Sequence, residues 1–212
     1  MKTEELIQCL AVDLRPVPRG AVPLRLLLGV AAGTLVSAAL FLWLIGPRPD
    51  LMVAMDSTPF RLKVTYLASL AVAALWMITR LARPETATNG LWIVALPLFL
   101  YFPVGIWELA TTNRSDWGPM LLGHGWKSCT WLVLGLAVPI YAGMWWAFQK
   151  FAPTHFEIAG AAAGIGAGAV AGILYSFHCP SNTAVFALTW YTISFALAGA
   201  AGAALGRQLL RW

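Results

Sequence analysis

Six long apolar runs, separated by short polar segments, form the main pattern of this chain. Each run holds about 20 residues, which as an α-helix crosses the roughly 30 Å of hydrocarbon in a bilayer. Backbone groups in lipid must find their hydrogen bonds within the segment, so helices are the expected form. The pattern predicts six membrane-spanning helices, at residues 24–45, 62–81, 91–109, 129–148, 156–177 and 184–205.

The composition supports a membrane protein. Of the 212 residues, 59% are hydrophobic and 11% are charged, whereas soluble globular domains carry about 25% charged residues. The spans leave little chain for a separate soluble domain. We therefore predict an all-α, integral membrane six-helix bundle, with residues 1–20 as an N-terminal tail and residues 21–212 as the membrane domain.

The positions of lysine and arginine predict the orientation, because loops on the cytoplasmic side are enriched in both. With the N-terminus inside, nine of these residues fall on the cytoplasmic side and five on the other. Both termini are therefore predicted to be cytoplasmic. The net charge of +5 reflects this topology. Scattered over short loops, the basic residues do not form the continuous patch that would predict direct nucleic-acid binding.

The tail contains a short amphipathic segment at residues 3–14. At about 100° per residue, its apolar side chains fall within one arc of a helix. So short a helix is only marginally stable alone in water, so its apolar stripe needs a surface. That surface is either the bundle and its surrounding lipid headgroups, or a groove on a cytoplasmic partner. The stripe consists of Leu6, Ile7, Leu10 and Leu14.

Glycines recur at every fourth position of the fifth predicted span. Small residues at this spacing let membrane helices approach closely. Because the sixth span also contains regularly spaced glycines, we expect the last two helices to pack tightly. Such seams also serve helix contacts between chains, so a homo-oligomer stays open. The predicted packing residues are Gly160, Gly164, Gly168 and Gly172.

Two cysteines are the leading candidates for chemistry. The predicted topology brings Cys129 and Cys179 to the outer face, whereas Cys9 stays in the reducing cytoplasm. The outer pair is either a structural element, such as a disulfide, or a site of reversible oxidation or metal capture. Thiolates favour thiophilic metals, and His124 and His178 are candidates to complete a Cys and His ligand set.

Catalysis is not predicted. The chain has no His-Glu-x-x-His segment, phosphate-binding loop or nucleophile elbow. Neither outer cysteine belongs to a Cys-x-x-Cys pair, which argues against a membrane thiol oxidoreductase. Charged residues are placed at the ends of the predicted spans, which disfavours a pump or secondary transporter. We predict a protein that is not an enzyme and has no resident cofactor.

Several short motifs resemble those of the NrsF family, over essentially the whole chain. They are Thr-x-Glu-Leu-Ile at residues 3–7, Gly-Trp-Lys-Ser-Cys at 125–129, and His-Cys-Pro at 178–180, followed by Phe186 and Trp-Tyr at 190–191. The family comprises six-span anti-sigma factors of the bacterial inner membrane, paired with extracytoplasmic-function sigma factors of the sigma F type.

The resemblance implies a membrane sensor with a sigma factor as its partner. Its cytoplasmic N-terminal segment would hold the sigma factor until Cys129 and Cys179 respond to heavy-metal or oxidative stress. A thiophilic metal ion would then be a transient signal. The alternative prediction is a small-solute channel or transporter in which the outer cysteines form a structural disulfide.

Overall fold

The computed structural model describes residues 20–82, 90, 92–123, 125–150 and 155–209, and this part of the chain contains helices and no strand. Besides the α-helices, it contains a 3₁₀ turn (Arg114–Asp116) and a π-helical turn (Ala187–Tyr191). The helices are α1 (Ala21–Leu44), α2 (Leu51–Asp56), α3 (Thr58–Leu81), α4 (Trp92–Thr111), α5 (Trp117–Leu122), α6 (Trp126–Phe148), α7 (Phe156–Ser176), α8 (Ala184–Phe186) and α9 (Thr192–Leu209).

Six helical segments are long and apolar enough to cross a membrane. They are α1, α3, α4, α6, α7 and the continuous stretch from α8 to α9. The predicted all-α class and the six spans are therefore confirmed. The second span begins at Thr58, four residues before its predicted start, and this places Lys63 inside the helix by more than one turn.

Helix α7 lies at the centre of the bundle, in contact with α3, α6 and α9. Most of its buried residues are glycine or alanine, so neighbouring helices can approach it on several sides. Helix α1 packs on α6, and α4 packs on α3. Both outer helices expose large apolar side chains, as expected for surfaces that face lipid. Examples are Leu35, Trp43, Phe99 and Trp107.

The glycines of α7 contact α9 in two different ways. A Cβ atom on Gly160 would meet the carbonyl oxygen of Gly202, and one on Gly164 would meet that of Ala198. A four-residue repeat drifts by about 40° per step around an α-helix. Consistent with this drift, Gly168 and Gly172 face the ring of Phe195, with added Cβ atoms at 3.1 and 3.2 Å.

A second small-residue contact joins α1 to α6. Gly29 and Gly143 lie so close that a Cβ atom on either would meet the other's carbonyl oxygen. One turn further, Gly33 faces Pro139, and the Ser37 hydroxyl donates a hydrogen bond to the Leu136 carbonyl at 2.7 Å. The first span is thus held against the helix that carries Cys129.

Adding one methyl group at the α7–α9 contact is expected to destabilise the bundle. In Gly160→Ala the new Cβ meets backbone, which cannot rotate away, so we expect a loss of about 3 kcal/mol, at the upper end for overpacking. Gly135→Ala is the matched control, because no atom lies within 4 Å of a Cβ there. Equilibrium unfolding in detergent micelles measures both variants, and equal stabilities would contradict this account.

Candidate functional site

Cys129 and Cys179 lie at the same end of the bundle, which we call the cysteine end. It includes the segments 45–57, 112–123 and 177–183. Cys129 is in the first turn of α6, where its amide donates to the Gly125 carbonyl at 2.9 Å. Cys179 follows the end of α7, with its amide bonded to the Tyr175 carbonyl at 3.0 Å. Both are buried free thiols, near enough to interact electrostatically.

Two tyrosines enclose the thiols. The Tyr175 hydroxyl lies beside the Cys129 thiol, and the Tyr191 hydroxyl lies beside that of Cys179. Tyr191 is fully buried, and its hydroxyl makes no well-formed hydrogen bond to any residue that the structure describes. It is the last residue of the π-helical turn, a feature that is frequent at functional sites. The aromatic rings shield the thiols from bulk water.

Lys63 extends from α3 toward the thiols and is completely buried. Its Nζ donates to the Ser181 carbonyl at 3.0 Å and to Asn182 Oδ1 at 2.8 Å. It also lies close to the thiols of both Cys129 and Cys179. Lys63 is not among the site residues predicted from the sequence, where its charge served only to predict the topology. The available signal was its position inside the predicted second span, where an ionisable residue is a functional candidate.

Arg48 also holds the segment that contains Cys179. Its Nη1 donates to the Cys179 carbonyl at 3.2 Å, and its amide donates to the Phe177 carbonyl at 3.0 Å. Two 2.6 Å hydrogen bonds join its guanidinium to the Asp50 carboxylate. This contact raises the pKa of Arg48 and lowers the pKa of Asp50. The pair therefore stays ionised at neutral pH, and it is lost only as the pH falls through the lowered pKa of Asp50.

The histidines contribute less than the thiols. His178 Nδ1 lies 2.9 Å from the Gly46 carbonyl, and since a carbonyl only accepts, Nδ1 carries the proton and donates. His124 lies outside the described residues. In the described part of the chain, no three His, Cys, Asp or Glu side chains are grouped closely enough to hold a metal ion. A metal site that includes either histidine stays a prediction.

Polar contacts also anchor the loops around the site. Glu108, at the end of α4, accepts a hydrogen bond from the Val185 amide at 3.0 Å and so caps the start of α8. The Trp190 indole donates to the Leu121 carbonyl at 2.8 Å. The cysteine end is therefore connected across α4, α5 and the sixth span. The predicted tail residues Leu6, Ile7, Leu10 and Leu14 lie outside the described residues.

The family model for NrsF, described as negative regulator of sigma F, matches residues 10–212. The chain belongs to the NrsF family. It is 36% identical over 218 residues to the probable anti-sigma-F factor NrsF of Azospira oryzae. It is 35% identical over 214 residues to the anti-sigma-F factor NrsF of Caulobacter vibrioides. Both matches cover 100% of each chain, and no solved structure matches.

Membership in the NrsF family confirms the resemblance found in the sequence motifs. It gives the protein a regulatory rather than a catalytic role, with a sigma factor as its partner. The six apolar helices make it a membrane protein. The matched region begins at residue 10, so Leu6 and Ile7 precede it, whereas Cys129 and Cys179 lie well inside it.

Proposed function

We propose that this NrsF protein binds a sigma F-type extracytoplasmic-function sigma factor through residues 1–20. It releases the sigma factor when Cys129 and Cys179 react with a thiophilic metal or an oxidant. The excess of Lys and Arg beside the termini supports an inner-membrane orientation with both termini cytoplasmic and the cysteine end in the periplasm. The observation that carries the proposal is the pair of free, buried thiols at one end of the bundle.

Either a thiophilic metal ion or an oxidant would draw the two thiols together. A soft divalent metal ion that binds both sulfurs displaces two thiol protons. Alternatively, an oxidant accepts two electrons as the two S–H bonds are lost and one S–S bond forms, with the release of two protons. In both cases the segment after α7 becomes linked to the first turn of α6, which changes how these elements pack.

Helix α1 connects the thiol pair to the tail. Its C-terminal side leads into Gly46 and Arg48, which hydrogen-bond residues 177–179. Along its length it packs on α6, the helix of Cys129. Its N-terminal end begins at Ala21, directly after the predicted binding segment. Two packings of α1 that differ by a few kcal/mol in free energy would suffice to change the affinity of the N-terminal segment for the sigma factor.

The test of this function is recovery of the cognate sigma factor on membranes that contain the full chain, with and without a thiophilic metal ion. We expect binding in the absence of metal and release when the metal occupies the thiols. Binding that persists while mass spectrometry shows both thiols modified would contradict thiol sensing. Absence of binding would contradict the anti-sigma proposal, and flux measurements in vesicles would then test the channel alternative.

Removing the Arg48 side chain should weaken the connection between α1 and the segment of Cys179 without removing the thiols. Arg48→Ala deletes the bond to the Cys179 carbonyl, and hydrogen bonds to charged groups contribute about 1.5–3 kcal/mol. Because the connection is weakened, we expect the metal concentration for half-maximal release to rise by about tenfold. Arg61→Ala is the matched control, because Arg61 pairs with exposed Asp56 in the neighbouring α2–α3 region. An equal change in both variants would contradict the role of Arg48.

A further inference from the structure

The buried ammonium of Lys63 has an unusual environment for a membrane-spanning helix. Its two hydrogen-bond acceptors, the Ser181 carbonyl and the Asn182 side-chain oxygen, are both neutral. Within the described residues it forms no ion pair with a carboxylate. The Phe60 ring lies 5.5 Å from Nζ and adds a weak cation–π contact. A charge in this position costs free energy that an aliphatic side chain of similar size would avoid.

The acceptors of Lys63 lie in the segment that positions Cys179. The Ser181 carbonyl accepts from Lys63 Nζ at 3.0 Å and also from the Cys179 thiol at 3.6 Å. One oxygen therefore links the lysine to the sulfur. Asn182, the next residue, gives Nζ a second contact at 2.8 Å. Pro180 lies between Cys179 and Ser181 and restricts the backbone there. The lysine thus holds a short, stiff segment against α3.

Lys63 also faces the second thiol. It lies close to the thiol of Cys129 on α6 as well as to that of Cys179. Arg48 differs, because it lies near Cys179, whose main-chain carbonyl it binds, and is already paired with Asp50. Of these two cations, Lys63 is therefore the one that lies near both thiols.

We propose that Lys63 is a positioning residue of the thiol site, which holds Cys179 opposite Cys129 so that one ligand can engage both sulfurs. The inference rests on the proposed sensing function and adds a determinant of its sensitivity. Without the lysine, the segment 179–182 loses its anchor on α3. Each thiol would still react, but the pair would bind a bridging ligand less tightly.

Phenylarsine oxide is a suitable probe, because trivalent arsenic binds two neighbouring thiols. Two As–S bonds form, the arsenic-bound oxygen is lost, and the two thiol protons leave with it as water. A methanethiosulfonate reagent modifies one thiol at a time and reports access to each cysteine separately. The full chain in lipid nanodiscs is used for both measurements, with Cys9→Ser as the background so that only Cys129 and Cys179 react.

In Lys63→Met we expect affinity for phenylarsine oxide to fall by about tenfold or more, because two-point binding depends on the effective concentration of the second thiol. Methanethiosulfonate labelling should not fall, and at Cys179 it should rise as the segment loosens. Asn182→Ala, which removes one of the two acceptors, should show a smaller loss of arsenical affinity. Asn182→Asp retains an acceptor oxygen for Lys63, so its affinity for phenylarsine oxide should be close to that of the unchanged protein.

Lys127→Met is the matched control, because Lys127 is exposed at the same end of the bundle. It should leave both measurements unchanged. Equal arsenical affinity in Lys63→Met and Lys127→Met would overturn the inference. So would a parallel fall in arsenical affinity and single-thiol labelling, since that pattern reports lost access. If Lys63→Met lowers arsenical affinity but thiol modification never releases the sigma factor, the positioning role stands and the sensing function fails.

Discussion

Replacing Cys129 or Cys179 with serine is expected to shift metal-triggered release of the sigma factor to much higher metal concentrations while leaving sigma-factor binding intact. Either change leaves one sulfur, so a bridging ligand loses its second attachment point. Two-point attachment typically raises affinity by about 10²–10⁴. We therefore expect the half-maximal metal concentration for release to rise by at least about 100-fold. Release is measured as sigma factor freed from membranes over a metal titration.

The chain contains its own control for this experiment. Cys9 is the third cysteine and lies in the tail, outside the proposed sensing site. Cys9→Ser should respond to metal like the unchanged protein. Cys129→Ala and Cys179→Ala check that any effect comes from the lost sulfur and not from a buried serine hydroxyl. Unaltered release in the Cys129 and Cys179 variants, or its loss in Cys9→Ser alone, would show that the outer thiols are not the sensor.

Deleting residues 1–16 is expected to remove sigma-factor binding altogether. These residues contain the whole apolar stripe of the predicted amphipathic helix, whereas the first span begins at Ala21 and keeps its length. A short amphipathic helix gains most of its binding energy from a few apolar side chains buried in a groove. Recovery of the sigma factor on membranes, with protein levels matched by immunoblot, measures the loss.

A paired substitution separates the stripe from the tail as a whole. Leu10→Glu places a charge in the apolar arc, and Gln8→Glu places the same charge on the opposite side of the helix. We expect Leu10→Glu to weaken binding by at least about tenfold, as for a buried hot-spot residue, and Gln8→Glu to leave it nearly unchanged. Full binding after the deletion would assign the sigma-factor contact to the membrane domain.

Much of the fold was predictable because the insertion of a segment into the membrane depends on its local composition. A span needs about 20 apolar residues wherever its neighbours lie, so six helices follow from hydropathy. The position of Cys129 and Cys179 at one end follows from counting spans, since two crossings, α6 and then α7, link the start of α6 to the end of α7. Backbone contact at Gly160 and Gly164 agrees with the four-residue spacing.

The thiol environment was less predictable. Lys63 lies within the predicted second span, yet only the folded chain shows that its ammonium binds the segment after Cys179. Arg48 and Tyr191 come from the first loop and the sixth span, far from each other in sequence. Such contacts depend on rotation and depth of each helix relative to its neighbours, and hydropathy reports neither. The π-helical turn that carries Tyr191 has no signal in the periodicity either.

By itself, the sequence determined the helical class, the six spans, the family and the two cysteines as candidates, because these depend on local composition, spacing and short motifs. Only the tertiary structure decided that α7 is the central helix, that α1 reaches both cysteine-bearing elements, and that Lys63 faces both thiols. The physical reason is that insertion into lipid depends on the apolar composition of each segment by itself. The arrangement, rotation and depth of the helices depend instead on side-chain packing between them.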